Sequence, residues 1–265
     1  MIPYAFKYHR ANSIAEAQGL LKGDARLLAG GQTLVSAMKL RLAAPSDLID
    51  ISRLKELSFI RREGDALVIG AGTTHHDVAT SAVAKAAIPA LAGMAAGIGD
   101  PAVRYKGTLG GSIANNDPAA DYPAALVALG ATVKTSTREI AAEDFFTGMF
   151  STLLHENEIV TQVSFPIPER AAYEKFRNPA SRFALTGVFV ARTKSGPRVA
   201  VIGAGSNVFR VPAMEQALAK SFTADAIRGI AVDAADLNSD IHASAGYRAH
   251  LVGVMAHRAV ASAAA

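Results

Sequence analysis

Apolar positions recur along the chain in short blocks, and their spacing switches between helical and strand periods. Ser13-Ile14-Ala15-Glu16 is a capping box, with a Ser side chain able to take a free N–H and a Glu able to reach back. It predicts a helix over 14–21, ended by Gly23. Residues 25–29 then read as a short buried strand, and 34–42 as a helix stopped by Pro45. Residues 47–51 and 67–69 read as strands. Thr73 to Asp77 can cap a helix through Val83, and a second helical run, 88–98, ends at Gly99-Asp100-Pro101. A helix over 118–129 and a strand over 131–134 follow, with 144–146 near a loop or short helix. A strand from Ile159 is closed by the prolines of Phe165-Pro166-Ile167-Pro168, which mark a domain boundary. Beyond it lie strands at 185–192 and 199–203, then helices at 212–219, 224–231 and 243–261. Strands and helices alternate in the first part, and strands precede helices in the second. That order predicts α+β lobes rather than one doubly wound sheet.

The chain has 265 residues, half of them hydrophobic, enough for two domains with real cores. The formal charge is +4, spread as isolated pairs such as Arg61-Arg62, which does not make a nucleic-acid stripe. There is no Cys, so disulfides, thiol catalysis and Cys-ligated clusters are excluded within this chain. The start, Met1-Ile2-Pro3-Tyr4-Ala5-Phe6, lacks the basic and apolar regions of a signal peptide, and the most apolar stretch, 82–98, is broken by Lys85, Pro89 and two glycines. The expected location is the cytoplasm. Val68-Ile69-Gly70-Ala71-Gly72 and Val201-Ile202-Gly203-Ala204-Gly205 open like a dinucleotide fingerprint, but the third glycine position holds His75 in one and Val208 in the other. No Gly-Lys dipeptide is present for a Walker A loop, and the seven His show no ligand set for a metal.

Two glycine segments remain. The first is Ala29-Gly30-Gly31-Gln32-Thr33. The second, Gly107-Thr108-Leu109-Gly110-Gly111-Ser112, lies in a longer stretch running from Gly99 to Asp121. Paired glycines let a backbone approach a ligand and turn N–H groups toward an anion. Two such loops suggest a diphosphate held between two lobes. Thr108 and the amides of Gly110 to Ser112 are candidate phosphate ligands, Arg104 and Lys106 supply positive potential, and Asp121 can accept from ribose or ribityl hydroxyls.

These motifs resemble those of the FAD-binding medium subunit of the molybdenum hydroxylases, the carbon monoxide dehydrogenase and xanthine dehydrogenase flavoprotein family. The matching elements are Ala29 to Leu34 with Met38-Lys39-Leu40-Arg41, Gly70-Ala71-Gly72-Thr73-Thr74-His75, and Ile98 through Asp121. Tyr173-Glu174-Lys175-Phe176 and Tyr247-Arg248-Ala249-His250-Leu251 complete the set. The resemblance implies a two-subdomain FAD-binding fold of the vanillyl-alcohol oxidase (PCMH) type, over 1–55 and 56–165, and a C-terminal α+β domain over 166–265. It implies non-covalent FAD contacts at Leu27, Leu28, Ala29, Gly30, Gly31, Gln32, Thr33 and Leu34. A second set comprises Thr108, Leu109, Gly110, Gly111 and Ser112, with Ile98 before it and Asp121 after it. Ile159 and Lys175 fall at further flavin-contacting positions. Ser112 stands where relatives often carry Asn, and Phe183 where some place a Tyr near the flavin ring. The resemblance also implies an iron–sulfur small subunit carrying [2Fe-2S] clusters and a large subunit carrying the molybdenum cofactor. Electrons would pass from them through FAD to an external acceptor, with no general acid or base required of this chain. A stand-alone FAD oxidase or reductase of the same fold, and a non-catalytic scaffold, are the alternative readings. Flavin content and turnover by the isolated chain separate them.

Overall fold

The computed structural model describes residues 2–264. It opens with a parallel sheet of β1 (Lys7–Arg10), β2 (Arg26–Leu28) and β3 (Asp47–Asp50), ordered β1-β3-β2. Parallel neighbours need crossover connections. Here α1 (Ile14–Leu20) and α2 (Leu34–Lys39) supply them. The capping box forms in part: Ser13 Oγ accepts from the Glu16 N–H, but Glu16 reaches back one residue further, to the Asn12 N–H rather than that of Ser13. Apolar residues of this part, including Ala17, Ile49 and Leu57, form a small core that Ile159 joins from far along the chain.

An antiparallel sheet follows, ordered β4-β5-β10-β6-β7. Its strands are β4 (Ile60–Glu63), β5 (Ala66–Gly70), β6 (Thr132–Thr135), β7 (Glu139–Ala141) and β10 (Val160–Pro166). Between β5 and β6 run α3 (His75–Thr80), α4 (Ala82–Ala87), α5 (Pro89–Ala96), α6 (Pro101–Arg104), α7 (Leu109–Asn115) and α8 (Tyr122–Leu129). A turn of helix, α9 (Ala142–Phe145), and a hairpin of β8 (Phe146–Gly148) and β9 (Ser151–Thr152) precede β10. Every residue of α8 is buried, which explains why it is apolar all round.

The third sheet, β11 (Arg170–Arg177), β12 (Ala184–Thr193), β13 (Gly196–Ile202) and β14 (Phe209–Arg210), is antiparallel and in sequential order. Phe189 and Ala191 of β12 face the core containing α8, while Val188 and Val190 face a second core with α10 (Pro212–Lys220) and α11 (Ala245–Ala264). Cover on both faces accounts for the unbroken apolar run in β12.

Several expectations need correction. The helix expected through Val83 breaks at Ser81, whose side chain caps α4. The stretch 118–129 is helical only from Tyr122, and α7 before it ends at Asn116, which adopts a left-handed backbone. Residues 224–231 form only a 3-10 turn at Ala224–Ile227. The second glycine segment enters α7 instead of remaining a loop, with Thr108 as its N-cap. The last helix begins two residues later than expected and continues to Ala264.

Asn116 also joins three segments. Its Nδ2 lies within bonding distance of Gly148 O (2.7 Å), Ser151 O (2.8 Å) and Asn207 Oδ1 (3.2 Å), three acceptors that share its two hydrogens, and its backbone carbonyl accepts from Phe150 N.

Glu158 is the other polar junction. Its carboxylate accepts from Thr135, Thr137, the His155 N–H and both Nε and Nη2 of Arg138. The Arg138 bonds, joined by those from Thr135, the His155 amide and Thr137, hold its carboxyl well below the usual range despite burial. A group depressed in the fold stabilises above its unfolded value of 4.5, and that stability is lost as the pH falls. Glu158→Gln is therefore expected to cost about 2–3 kcal/mol at neutral pH. In urea melts the difference from wild type should shrink steadily below pH 4.5.

Candidate cofactor site

The first glycine segment connects β2 to α2. Gly31 sits at φ +70°, in the left-handed region that favours glycine. Among the described residues, the N–H groups of Gly30, Gly31, Gln32, Thr33 and Leu34 donate to no acceptor of the chain. Most amides of a folded protein are paired, so five successive free donors on a partly exposed loop form an anion-seeking surface.

The second segment is tied to the end of β5. His75 N donates to Gly107 O (2.9 Å), Leu109 N to Thr73 O (3.0 Å) and Gly110 N to Ala71 O (2.8 Å). Thr108 Oγ1 accepts from Gly111 N (3.1 Å), and Ser112 N donates to Thr108 O (3.0 Å). The amides of Gly110 to Ser112, expected to meet phosphate, are thus already paired. The free amide donors are those of the first loop, together with the Thr108 N–H, which likewise donates to no acceptor among the described residues. The second contributes the exposed Gly111 surface and the Ser112 hydroxyl, which makes no bond within the described residues.

The two segments touch. A Cβ on Gly30 would lie 1.9 Å from the Lys106 carbonyl oxygen, a backbone approach open only to glycine. Arg104 braces the far side, with Nη1 donating to Ile98 O (2.9 Å) and Gly99 O (3.2 Å). Behind the second segment lies His75, buried against Tyr122 at 5.4 Å between ring centroids. Burial, aided by Arg104, pushes the His75 imidazole down to about 4.

Asp121 and Lys175 are expected site residues far apart in sequence, and the fold brings them together. Lys175 Nζ lies 2.8 Å from Asp121 Oδ1, with the two side chains 3% and 4% exposed. Tyr173 Oη donates to the same oxygen at 2.5 Å. Burial pushes the Asp121 carboxyl up, against the pull of Lys175, Tyr173 and Arg177. Leu27 and Ala29 pack on the core that holds Ile159, directly behind the first loop. Leu28 touches the space beside Gly31, Leu34 is half-buried, Leu109 is fully buried, and Ile98 packs on the central core. The sequence alone assigns no role to Tyr173, Arg177 or His75. The period-two spacing of Tyr173, Lys175 and Arg177 is the signal that would have found the first two.

A free-amide cradle, an adjoining helix start and a buried carboxylate suit a ligand carrying a diphosphate and hydroxyl groups. The family model described as the FAD binding domain in molybdopterin dehydrogenase matches residues 4–168. The chain belongs to this family and is an FAD-binding medium subunit of the molybdenum hydroxylase type, a subunit of an FAD-dependent oxidoreductase.

Among particular relatives, the carbon monoxide dehydrogenase medium chain of Hydrogenophaga pseudoflava is 38% identical over 98% of this chain and 97% of its own. The glyceraldehyde dehydrogenase medium chain of Sulfolobus acidocaldarius is 35% identical, covering 98% of both. A solved carbon monoxide dehydrogenase from H. pseudoflava superposes with a TM-score of 0.90 at 38% identity, covering 100% of this chain and 98% of that one. The α+β FAD-binding fold expected from the sequence is the one observed. No helix among the described residues is long and apolar enough to cross a membrane.

Proposed function

We propose that this chain passes electrons from [2Fe-2S] clusters on a small partner subunit, through FAD, to an external acceptor. Substrate would be hydroxylated on a large partner subunit bearing the molybdenum cofactor, and the assembly would work in the cytoplasm. The observation that carries the reading is the run of free N–H groups from Gly30 to Leu34, abutting the second segment at Lys106. We read residues 1–55 and 56–165 as two FAD-binding lobes and 166–265 as a C-terminal domain that closes over them.

In this reading the segment from Gly30 to Leu34 donates backbone N–H groups to the diphosphate. The Thr108–Ser112 turn lines its other side, with the Ser112 hydroxyl as an additional donor. Arg104 holds the Ile98–Gly99 turn in place through its carbonyls. Asp121 accepts from cofactor hydroxyls, and Lys175 opposes the rise that burial imposes on its carboxyl. Ile159 supports the first loop from behind. When bound, FAD supplies the redox chemistry, and the protein supplies binding and electrostatics. The lack of cysteine fits a chain whose iron–sulfur clusters lie elsewhere.

The test is flavin content of the full chain after reconstitution, read from the visible spectrum. Stoichiometric flavin is expected. Gly111→Val is expected to abolish its retention, because the new side chain meets Thr108 Oγ1 at 2.9 Å and covers an exposed face. Arg62→Ala, on the exposed β4 strand, is expected to leave flavin content unchanged. Equal flavin in both variants would sink the assignment of that loop. The isolated chain should also fail to reduce its flavin with an organic substrate. A chain that does so unaided is a self-contained oxidase or reductase instead.

A further inference from the structure

We infer that Tyr173 is a positioning residue for the cofactor, acting through Asp121. The inference rests on the FAD reading above and adds to it a residue with no part in the expected contact set.

Strand β11 presents Tyr173, Lys175 and Arg177 at period two, so all three side chains leave the same face of the sheet. That face looks toward the start of α8 and the turn after α5. Asp121 answers two of these groups directly. The third, Arg177, reaches toward Gly97, where an added Cβ would meet Arg177 Nη2 at 3.1 Å. The bonding at Asp121 is asymmetric. Both donors bond to Oδ1, and no group of the described residues bonds to Oδ2. A carboxylate offers about four lone-pair sites. With Oδ1 spent on the protein, Oδ2 is the oxygen left for a ligand hydroxyl.

Lys175 alone does not fix that orientation. An ammonium is a compact charge on a flexible stem. It satisfies a carboxylate over a range of rotations. The Tyr173 hydroxyl sits on a rigid ring packed against Phe189, at 6.0 Å between centroids, and donates at a defined point. The fold reserves room for that point. Gly187 in β12 lies directly across the ladder from Lys175, and a Cβ there would fall 2.5 Å from Tyr173 Oη. A side chain at 187 would drive the hydroxyl off Asp121. Burial and the Asp121 charge push the Tyr173 hydroxyl well up, so it stays protonated and remains a donor at any working pH.

The test uses the full chain stripped of flavin and titrated with FAD. Four forms are compared: wild type, Tyr173→Phe, Asp121→Asn and the double variant. Loss of the hydroxyl is expected to weaken FAD binding about tenfold, the equivalent of one hydrogen bond to a charged group. The visible circular dichroism of the bound flavin should change as well, since it reports how the ring is held. In the Asp121→Asn background the same replacement should have a markedly smaller effect, because a group acting through Asp121 has lost its target. Gly187→Ala should reproduce the Tyr173→Phe phenotype while keeping the hydroxyl. Far-ultraviolet circular dichroism and a thermal melt establish that each form is folded. If Tyr173→Phe is folded and matches wild type in affinity and visible dichroism, the inference is wrong while the FAD reading stands. If its effect is undiminished in the Asp121→Asn background, Tyr173 does not act through Asp121. If wild type itself takes up no FAD, the reading beneath the inference fails.

Discussion

A Gly30→Ala variant is expected to purify without flavin and to unfold more easily than wild type. The added methyl would lie 1.9 Å from the Lys106 carbonyl oxygen, 2.6 Å from its carbon and 2.9 Å from Gly107 Cα. All three atoms are backbone, so no side chain can swing aside. One segment must move by more than an ångström relative to the other. Overpacking of this kind costs on the order of 1–3 kcal/mol. The same displacement separates the free amides of the first loop from the second segment. Gly93→Ala is the matched control. Gly93 is exposed within α5, and a Cβ there meets nothing within 4 Å. That change should raise stability by about 0.5–1 kcal/mol through helix propensity and leave flavin intact. Visible absorbance and a thermal melt on both proteins decide the matter. Stoichiometric flavin in the Gly30 variant would show that contact between the segments is not required for binding.

Lys175→Met is expected to carry a large thermodynamic penalty, about 3–5 kcal/mol at neutral pH. The change leaves the Asp121 carboxylate buried with Tyr173 as its remaining direct partner. Its effect on pH dependence has a definite sign. Burial already raises the Asp121 carboxyl, and Lys175 is the first of the groups opposing that rise. Without Lys175 the folded-state value climbs further above the unfolded 3.8, so the folded variant gains a proton that the unfolded chain does not. Its stability therefore recovers as the pH falls, and its deficit against wild type should narrow from pH 8 to pH 5 in urea melts. Adding Asp121→Asn should restore most of the stability, because the uncompensated charge is gone, but not flavin retention. A deficit below about 1 kcal/mol would be that of a solvated surface pair instead.

The sequence made the α+β class and the two glycine segments legible because glycine pairs and capping residues act locally. Ser13 caps α1 at the Glu16 N–H as their spacing requires, and Glu16 reaches back to the neighbouring Asn12 N–H. The chemistry inside the second segment was less legible. Thr108 reads equally well as a phosphate ligand and as an N-cap, and only the chain partners of Gly110 and Gly111 distinguish the two. Strand β11 was missed for a different reason. Arg170 to Arg177 sets four charged residues among two alanines and two aromatics with no apolar alternation, and its buried lysine carries no apolar signature. The link between Lys175 and Asp121 joins residues 54 positions apart and exists only once β11 pairs with β12. Short edge strands such as β4 and β7 escaped because their positions are set by their neighbours rather than by their own composition.

Asn116 couples the geometry of the site to chain length in a hairpin remote from it in sequence. Its amide nitrogen ties the β8–β9 hairpin and the loop at Asn207 to one point, five positions before Asp121. Gly148, Phe150 and Ser151 of that hairpin all bond to Asn116, so a residue added at the tip would pull these bonds apart. A residue added between Asn116 and Asp121 acts more directly. It would shift the start of α8, and with it the acid that answers Tyr173 and Lys175. Chain length is thus held at two places far apart in sequence, the hairpin tip and the short link from Asn116 to Asp121.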